Sequence, residues 1–196
     1  MDACKVHCIL LYIFGILNLS NSDYGESRNK CFYLNQPVPF SDVVLHATSE
    51  QVSGPKLINM KERSRVCLPE PCQHLEAYSG LIPVDDDSDS SYLFFLHIKS
   101  EENSLEKPLL LWLQGGPEKS SLFGQFLENG PLGIDASGKL YYRNHTVIKH
   151  MNVIYLDQPA GSGYSLDENH NYPGTLEKVS LHIVRFLNRF LRIFSE

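Results

Sequence analysis

The chain has 196 residues, of which 42% are hydrophobic and 11% aromatic. That is enough apolar material for the core of one ordinary domain, and too much for a chain without folded structure. Its formal net charge is -6 with a pI near 5.7, and its lysines and arginines form no run, which excludes a nucleic-acid backbone as an expected partner.

The chain opens with Lys5 ahead of the apolar run Ile9–Leu17, followed by small polar residues that include Ser20 and Ser22. This is the pattern of a secretory signal peptide over residues 1–22. The run is too short to cross a bilayer, which needs about 20 apolar residues, and no later stretch approaches that length, so no membrane span is expected. Removal of residues 1–22 leaves Cys31, Cys67 and Cys72, an odd set for an oxidising compartment. Cys67 and Cys72 bracket Leu-Pro-Glu-Pro, and a local disulfide between them is expected, with Cys31 left over. His74 lies near, but the two further ligands that zinc would need are missing, so no metal is expected.

Residues 23–76 carry little periodicity and many prolines and polar residues, and read as an irregular lead-in. From Ala77 the signal sharpens. AYSGLIPV and SYLFFLHIKS are strand patterns separated by the acidic DDDSDS, a hairpin turn. That turn resembles half of a calcium loop, but Ser90 stands where the sixth-position glycine belongs and Leu96 where the twelfth-position glutamate belongs, so it reads as a solvated turn. KPLLLWLQ and HMNVIYLDQP are apolar on both faces, as strands in the middle of a covered sheet are.

Ser121 to Asn129 sets Leu122, Phe123, Phe126 and Leu127 at helical spacing, with Asn129-Gly130-Pro131 as a stop. The last segment starts at a capping Thr175 and runs Leu176, Val179, Ile183, Leu187, Phe190 and Phe194 along one face. His182, Arg185, Arg189 and Arg192 form a second stripe, read as a solvated face. Alternation of strands and helices predicts an α/β domain with a mostly parallel sheet. So few strands would leave one edge open and the faces half covered, so residues 77–196 read as the front part of a larger domain.

Three chemistries compete for LQGGPEKSSLFG. A phosphate loop would need glycine before its lysine, but Lys119 follows Glu118. A nucleophile elbow would need a serine with glycines two residues to either side, and no serine here has them. Ser120 and Ser121 read as helix N-cap residues. An oxyanion loop fits, because Gly115 and Gly116 follow a buried strand and could turn backbone N–H groups toward a developing negative oxygen; a tight turn without a ligand stands beside it on composition alone. Glu128 is the second oddity, since a carboxylate in the last turn of a helix meets the negative end of the dipole at a cost of about 0.3–1 kcal/mol.

PLLLWLQGGPEKSSLFGQFLENGPL (108–132), YYRNHTVIKHMNVIYLDQPAGSGYS (141–165) and the earlier YSGLIPV and SYLFFLHIKS together resemble the serine carboxypeptidases, most nearly their vitellogenic-like members. The resemblance implies an α/β-hydrolase fold, of which this chain is the N-terminal portion: an incomplete central sheet with flanking helices. It implies release of C-terminal residues from peptides and proteins by a Ser-Asp-His triad, without a cofactor, in secreted or lysosomal settings.

Carried over residue by residue, Gly115 and Gly116 match the oxyanion loop. Gln114, where many members have asparagine, and Glu128 match the pair that holds the substrate's terminal carboxylate. Two carboxyl groups facing each other must share a proton, which links such enzymes to acid.

The chain departs from the family at Glu118-Lys119, where glycine and then cysteine or glycine are usual, and it lacks the Gly-Glu-Ser-Tyr-Ala-Gly elbow and the triad aspartate and histidine. The chain alone is therefore expected to be inactive. Asn144-His145-Thr146 is an N-glycosylation sequon. The rival reading is a secreted, non-catalytic binding or decoy protein built on the same fold.

Overall fold

The computed structural model describes Leu45 and residues 54–85, 90–116 and 118–194. The expected signal peptide, Cys31, most of the lead-in and the middle of the acidic turn lie outside the described residues.

The elements are helix α1 (Gly54–Arg63), strands β1 (Arg65–Val66), β2 (Ala77–Pro83), β3 (Ser91–Ile98), β4 (Leu109–Leu113), β5 (Leu132–Ile134), β6 (Leu140–Tyr142), β7 (Asn152–Leu156) and β8 (Leu166–Asp167), and helix α2 (Leu176–Ile193). Short helical turns stand at Ser104–Glu106, Gly124–Glu128 and Val147–Lys149. α1 and β1 lie inside the segment read as an irregular lead-in. Met60 of α1 is buried, and Ser64 just beyond it donates to the Lys61 carbonyl at 2.7 Å.

The main sheet has the order β1-β2-β3-β7-β4, with β8 added beside β3. β2 and β3 form the expected hairpin, registered from Ala77 opposite Ile98 to Pro83 opposite Tyr92. Strands joined by a short turn can only run antiparallel, and β3 is antiparallel to β7 as well. Only β4 and β7 pair in parallel, Leu109 opposite Asn152 through Leu113 opposite Leu156. The sheet is therefore mixed rather than mostly parallel, and the molecule is a partial α/β domain.

Both faces of the inner strands β3 and β7 are covered, which explains their unbroken apolar runs, whereas the equally apolar β4 is only half-buried. Phe94, Leu96, Val153 and Tyr155 point to one side with Leu122, Phe126, Leu132 and Ile148. Leu93, Phe95, Ile154 and Leu156 point to the other with Phe186 and Phe190 of α2. Ring contacts join Phe95 to Phe186 and Phe190, and Phe190 to Phe194 at 4.4 Å between centroids. Truncating a ring in such a core costs about 3–5 kcal/mol. β7 is central as expected, but β4 is the sheet's described edge, with Leu109 41% and Leu113 40% exposed.

Thr175 caps α2 by accepting from the Lys178 N–H at 3.3 Å. The buried stripe is His182, Phe186, Phe190 and Ile193, rotated from the expected one, and Leu176 stands 76% exposed. The basic stripe is not a solvated face. His182 is buried 3.6 Å from the Asp85 carboxylate. Arg185 donates to the Val84 carbonyl at 3.1 Å, and Arg189 to those of Pro83 and Asp85. The physical reason is that the chain turns away from the sheet at residues 83–85, and its carbonyls take guanidinium donors there.

The expected Cys67–Cys72 bridge is also corrected. Cys67 is disulfide-bonded, Cys72 is a free thiol, and the partner of Cys67 lies outside the described residues. Cys72 closes a turn, its N–H bonded to the Pro69 carbonyl and its carbonyl accepting from Leu75. That backbone turn sends the side chain into the core under β2 and β3, where burial and the charge of Glu101 push the thiol up to about 11.

Candidate functional site

The site grows from the end of β4. Trp112 and Gln114 are two residues apart and therefore share a face of the strand. The Trp112 indole Nε1–H donates to Gln114 Oε1 at 2.9 Å, and Gln114 Nε2 donates to Glu128 Oε1 at 3.3 Å. An indole N–H can only donate and a carboxylate can only accept, so the two partners fix the orientation of the Gln114 amide. The two predicted carboxylate-binding residues are thus brought together, and Glu128 remains exposed.

Three features hold Glu128 at the end of its helix. The helix closes with an i to i+5 turn over Gly124–Glu128, where the Asn129 N–H bonds to the Gly124 carbonyl at 2.9 Å. Such turns recur at functional sites. Arg143 then reaches across from the end of β6 and donates to the carbonyls of Gln125, Phe126 and Gly130, so a cation sits at the negative end of the dipole that made Glu128 look awkward. Asn129 is pinned in turn, its side chain by the Tyr155 hydroxyl at 2.9 Å and its carbonyl by the Thr146 hydroxyl at 3.0 Å. The helix also lies unusually close to β4: a Cβ on Gly124 would stand 2.2 Å from Trp112 Nε1.

Gly115 and Gly116 follow Gln114 and are exposed. Gly116 has φ 142, a conformation that side chains disfavour. Gly115 is different: among the described residues nothing lies within 4 Å of where its Cβ would be. Glu118, the departure noted in the sequence, adopts φ 71, a left-handed conformation in which glycine would be at ease. Lys119 lays its ammonium 5.2 Å from the centre of the Phe123 ring.

The loop's far side is anchored by Asp157, which the sequence did not single out. Asp157 is fully buried and accepts from the Ser120 hydroxyl, the Ser121 N–H at 2.7 Å and the Tyr164 N–H at 2.9 Å. Burial pushes its carboxyl above the usual range, against the pull of these donors. Ser120 caps the helix as expected, accepting from the Leu122 N–H at 3.2 Å. Ser121 instead works as a buried staple between strands. Its hydroxyl donates to the Leu156 carbonyl at 2.6 Å and accepts from the Gln114 N–H at 3.0 Å. The PAGSGYS segment thereby becomes one wall of the loop, because Gly163 packs where a Cβ would stand 2.0 Å from Asp157 Oδ2.

Trp112, Arg143 and Asp157 are the residues that sequence reasoning missed. Strand parity could have found Trp112. Arg143 and Asp157 act across sequence separations that no local pattern marks.

Comparison with known proteins identifies the family. The family model described as serine carboxypeptidase matches residues 69–196. Vitellogenic carboxypeptidase of Aedes aegypti is 35% identical over 140 residues, covering 71% of this chain and 29% of that protein. Pheromone-processing carboxypeptidase KEX1 of Saccharomyces cerevisiae is 31% identical over 145 residues, covering 66% of this chain and 20% of the relative. The crystal structure of a prohormone-processing carboxypeptidase from the same yeast superposes with a TM-score of 0.61 at 28% identity, covering 69% of this chain and 33% of that one. The chain thus spans less than a third of the length of these two relatives.

Proposed function

The chain belongs to the serine carboxypeptidase family, and from that premise we propose that residues 69–196 form the front part of an α/β-hydrolase domain which, in a full-length protein, removes C-terminal residues from peptides. In this reading Gly115 and Gly116 supply the oxyanion loop, and Gln114 and Glu128 grip the substrate's terminal carboxylate. The chain by itself is inactive, because it holds no serine on a Gly-x-Ser-x-Gly elbow to act as nucleophile. The N-terminal leader pattern supports passage through the secretory pathway, to a secreted or lysosomal destination. Among the described residues no helix is long and apolar enough to cross a membrane.

The observation that carries the reading is the hydrogen-bonded row Trp112–Gln114–Glu128 beside the open backbone of Gly115. An amide donor and a carboxyl set side by side can bind a carboxylate when one proton is shared. The test is a titration of the labelled chain with an N-blocked dipeptide, read at the Trp112 indole and Gln114 side-chain amide resonances. We expect saturable shifts with the free acid and none with the C-terminal amide of the same dipeptide. Equal responses to both would sink the assignment. In parallel, the purified chain should release no C-terminal residue at any pH, and release that survives further purification would overturn its inactivity.

A further inference from the structure

We propose that Asn144 carries an N-linked glycan and that the glycan is attached before residues 129–148 fold. The inference rests on the secretory reading above, and the experiment below separates the two.

The sequon occupies the bend between β6 and the helical turn Val147–Lys149. Asn144 and His145 are exposed, so the surface has room for a bulky, solvated group. Among the described residues no hydrogen bond ties the Asn144 carboxamide down. Thr146 is the opposite case, with only 4% of it exposed. Its hydroxyl donates to the Asn129 carbonyl at 3.0 Å, and the same oxygen faces the Ile148 N–H at 3.5 Å. The neighbouring backbone is locked too, since the Val147 N–H bonds to the Asn129 carbonyl at 3.0 Å and the Ser100 hydroxyl to the fully buried Ile148 carbonyl at 2.6 Å.

A transferase that reads the third residue of the sequon must reach its hydroxyl, and in the folded chain that hydroxyl is covered and engaged. Acceptor and recognition group are both accessible only before this segment closes. The donor is a lipid-linked oligosaccharide pyrophosphate. A bond forms between Asn144 Nδ2 and the anomeric carbon, the anomeric carbon–oxygen bond breaks, the lipid pyrophosphate leaves, and the amide nitrogen gives up a proton. Thr146 thus serves twice, first as the recognition group and then as the hydroxyl that pins the residue next to Glu128.

The full chain is translated in the presence of microsomes, once with its own N terminus and once behind an established secretory leader. A protease-protected product without an endoglycosidase-sensitive shift, in the arm with the added leader, overturns the glycan. Loss of protection only with the native N terminus sinks the secretory reading and leaves the glycan to be judged by the other arm. Because Asn18-Leu19-Ser20 is a second sequon, the variants are made in an Asn18→Gln background: there Asn144→Gln should abolish the shift and Thr146→Ser should keep it, and a shift that persists in Asn144→Gln overturns the assignment. For the order of events, the full chain from a host without glycans is offered to detergent-solubilised transferase and donor, either native or freshly diluted from denaturant. We expect many-fold slower modification of the native chain, and equal rates would overturn the timing.

Discussion

Gly124→Ala should break the row of hydrogen bonds at the site without replacing any residue in it. The new Cβ would lie 2.2 Å from Trp112 Nε1 and 2.9 Å from Cε2, against about 3.5–4.0 Å for an ordinary contact. The neighbour is an indole packed against the core, so it must retreat by roughly 1.3 Å, and the 2.9 Å bond to Gln114 then passes the limit of a hydrogen bond. Overpacking costs about 1–3 kcal/mol and the lost bond about 0.5–1.5. Replacing glycine by alanine in a helix returns about 0.5–1. The net loss is about 1–3 kcal/mol, which lowers the urea midpoint by about 0.5–1.5 M at a slope near 2 kcal/mol/M. Trp112 is the chain's single tryptophan, so its emission reads the displacement directly, and the variant should also lose the dipeptide response at Gln114. An unchanged emission maximum together with an unchanged midpoint would refute the reasoning.

Arg143→Ala leaves three helix-end carbonyls without their guanidinium donor and should cost about 2–4 kcal/mol in urea melts; a wild-type midpoint would show that water replaces it. Cys72, with its thiol pushed up to about 11 by burial, should resist alkylation at neutral pH and react once the chain is unfolded, and mapping of label to Cys72 in the folded chain would contradict its burial. Burial holds His182 below its ordinary 6.5, with Asp85 and Asp167 opposing and Lys178 and Arg185 adding to the shift. The unfolded chain therefore takes up that proton first as pH falls, and folding stability drops from about pH 6.5 downward. His182→Phe should flatten melting temperature against pH between about 6.5 and 5; an unaltered slope would assign the loss to other groups.

The elements that the sequence made legible were those whose period survives any tertiary arrangement. β2, β3, β7 and α2 announce themselves through apolar spacing and a capping threonine. What was hidden depended on which partner each element found. Leu109–Leu113 and Asn152–Leu156 carry equivalent apolar runs, yet one is the described edge and half-exposed and the other central and buried, because an apolar run says nothing about which neighbours a strand finds. The direction of pairing was hidden for a similar reason. A strand covered on both faces looks alike in a parallel or a mixed sheet. The cysteine pairing failed because five residues of separation limit reach but not aim, and the turn at Cys72 aims its thiol into the core. The arginines of α2 looked solvated because their acceptors are carbonyls, which every residue carries and no sequence pattern reveals.

At the site, the pairing of Gln114 with Glu128 came from family resemblance, and the structure supplies the reasons that composition could not. Gly115 and Gly116 read as one dipeptide, but they are glycines for different causes. Gly116 needs its φ of 142, so the fold itself demands it. Gly115 has no left-handed backbone and no described neighbour within 4 Å of a Cβ, so among the described residues neither strain nor packing asks for glycine there. A side chain at Gly115 would fill only the space in front of its own backbone. Open space at that position is compatible with the proposed oxyanion role, which needs an unobstructed backbone N–H. The turn-without-ligand reading accounts for Gly116, and at Gly115 it stands beside the proposed oxyanion role, which the dipeptide titration tests.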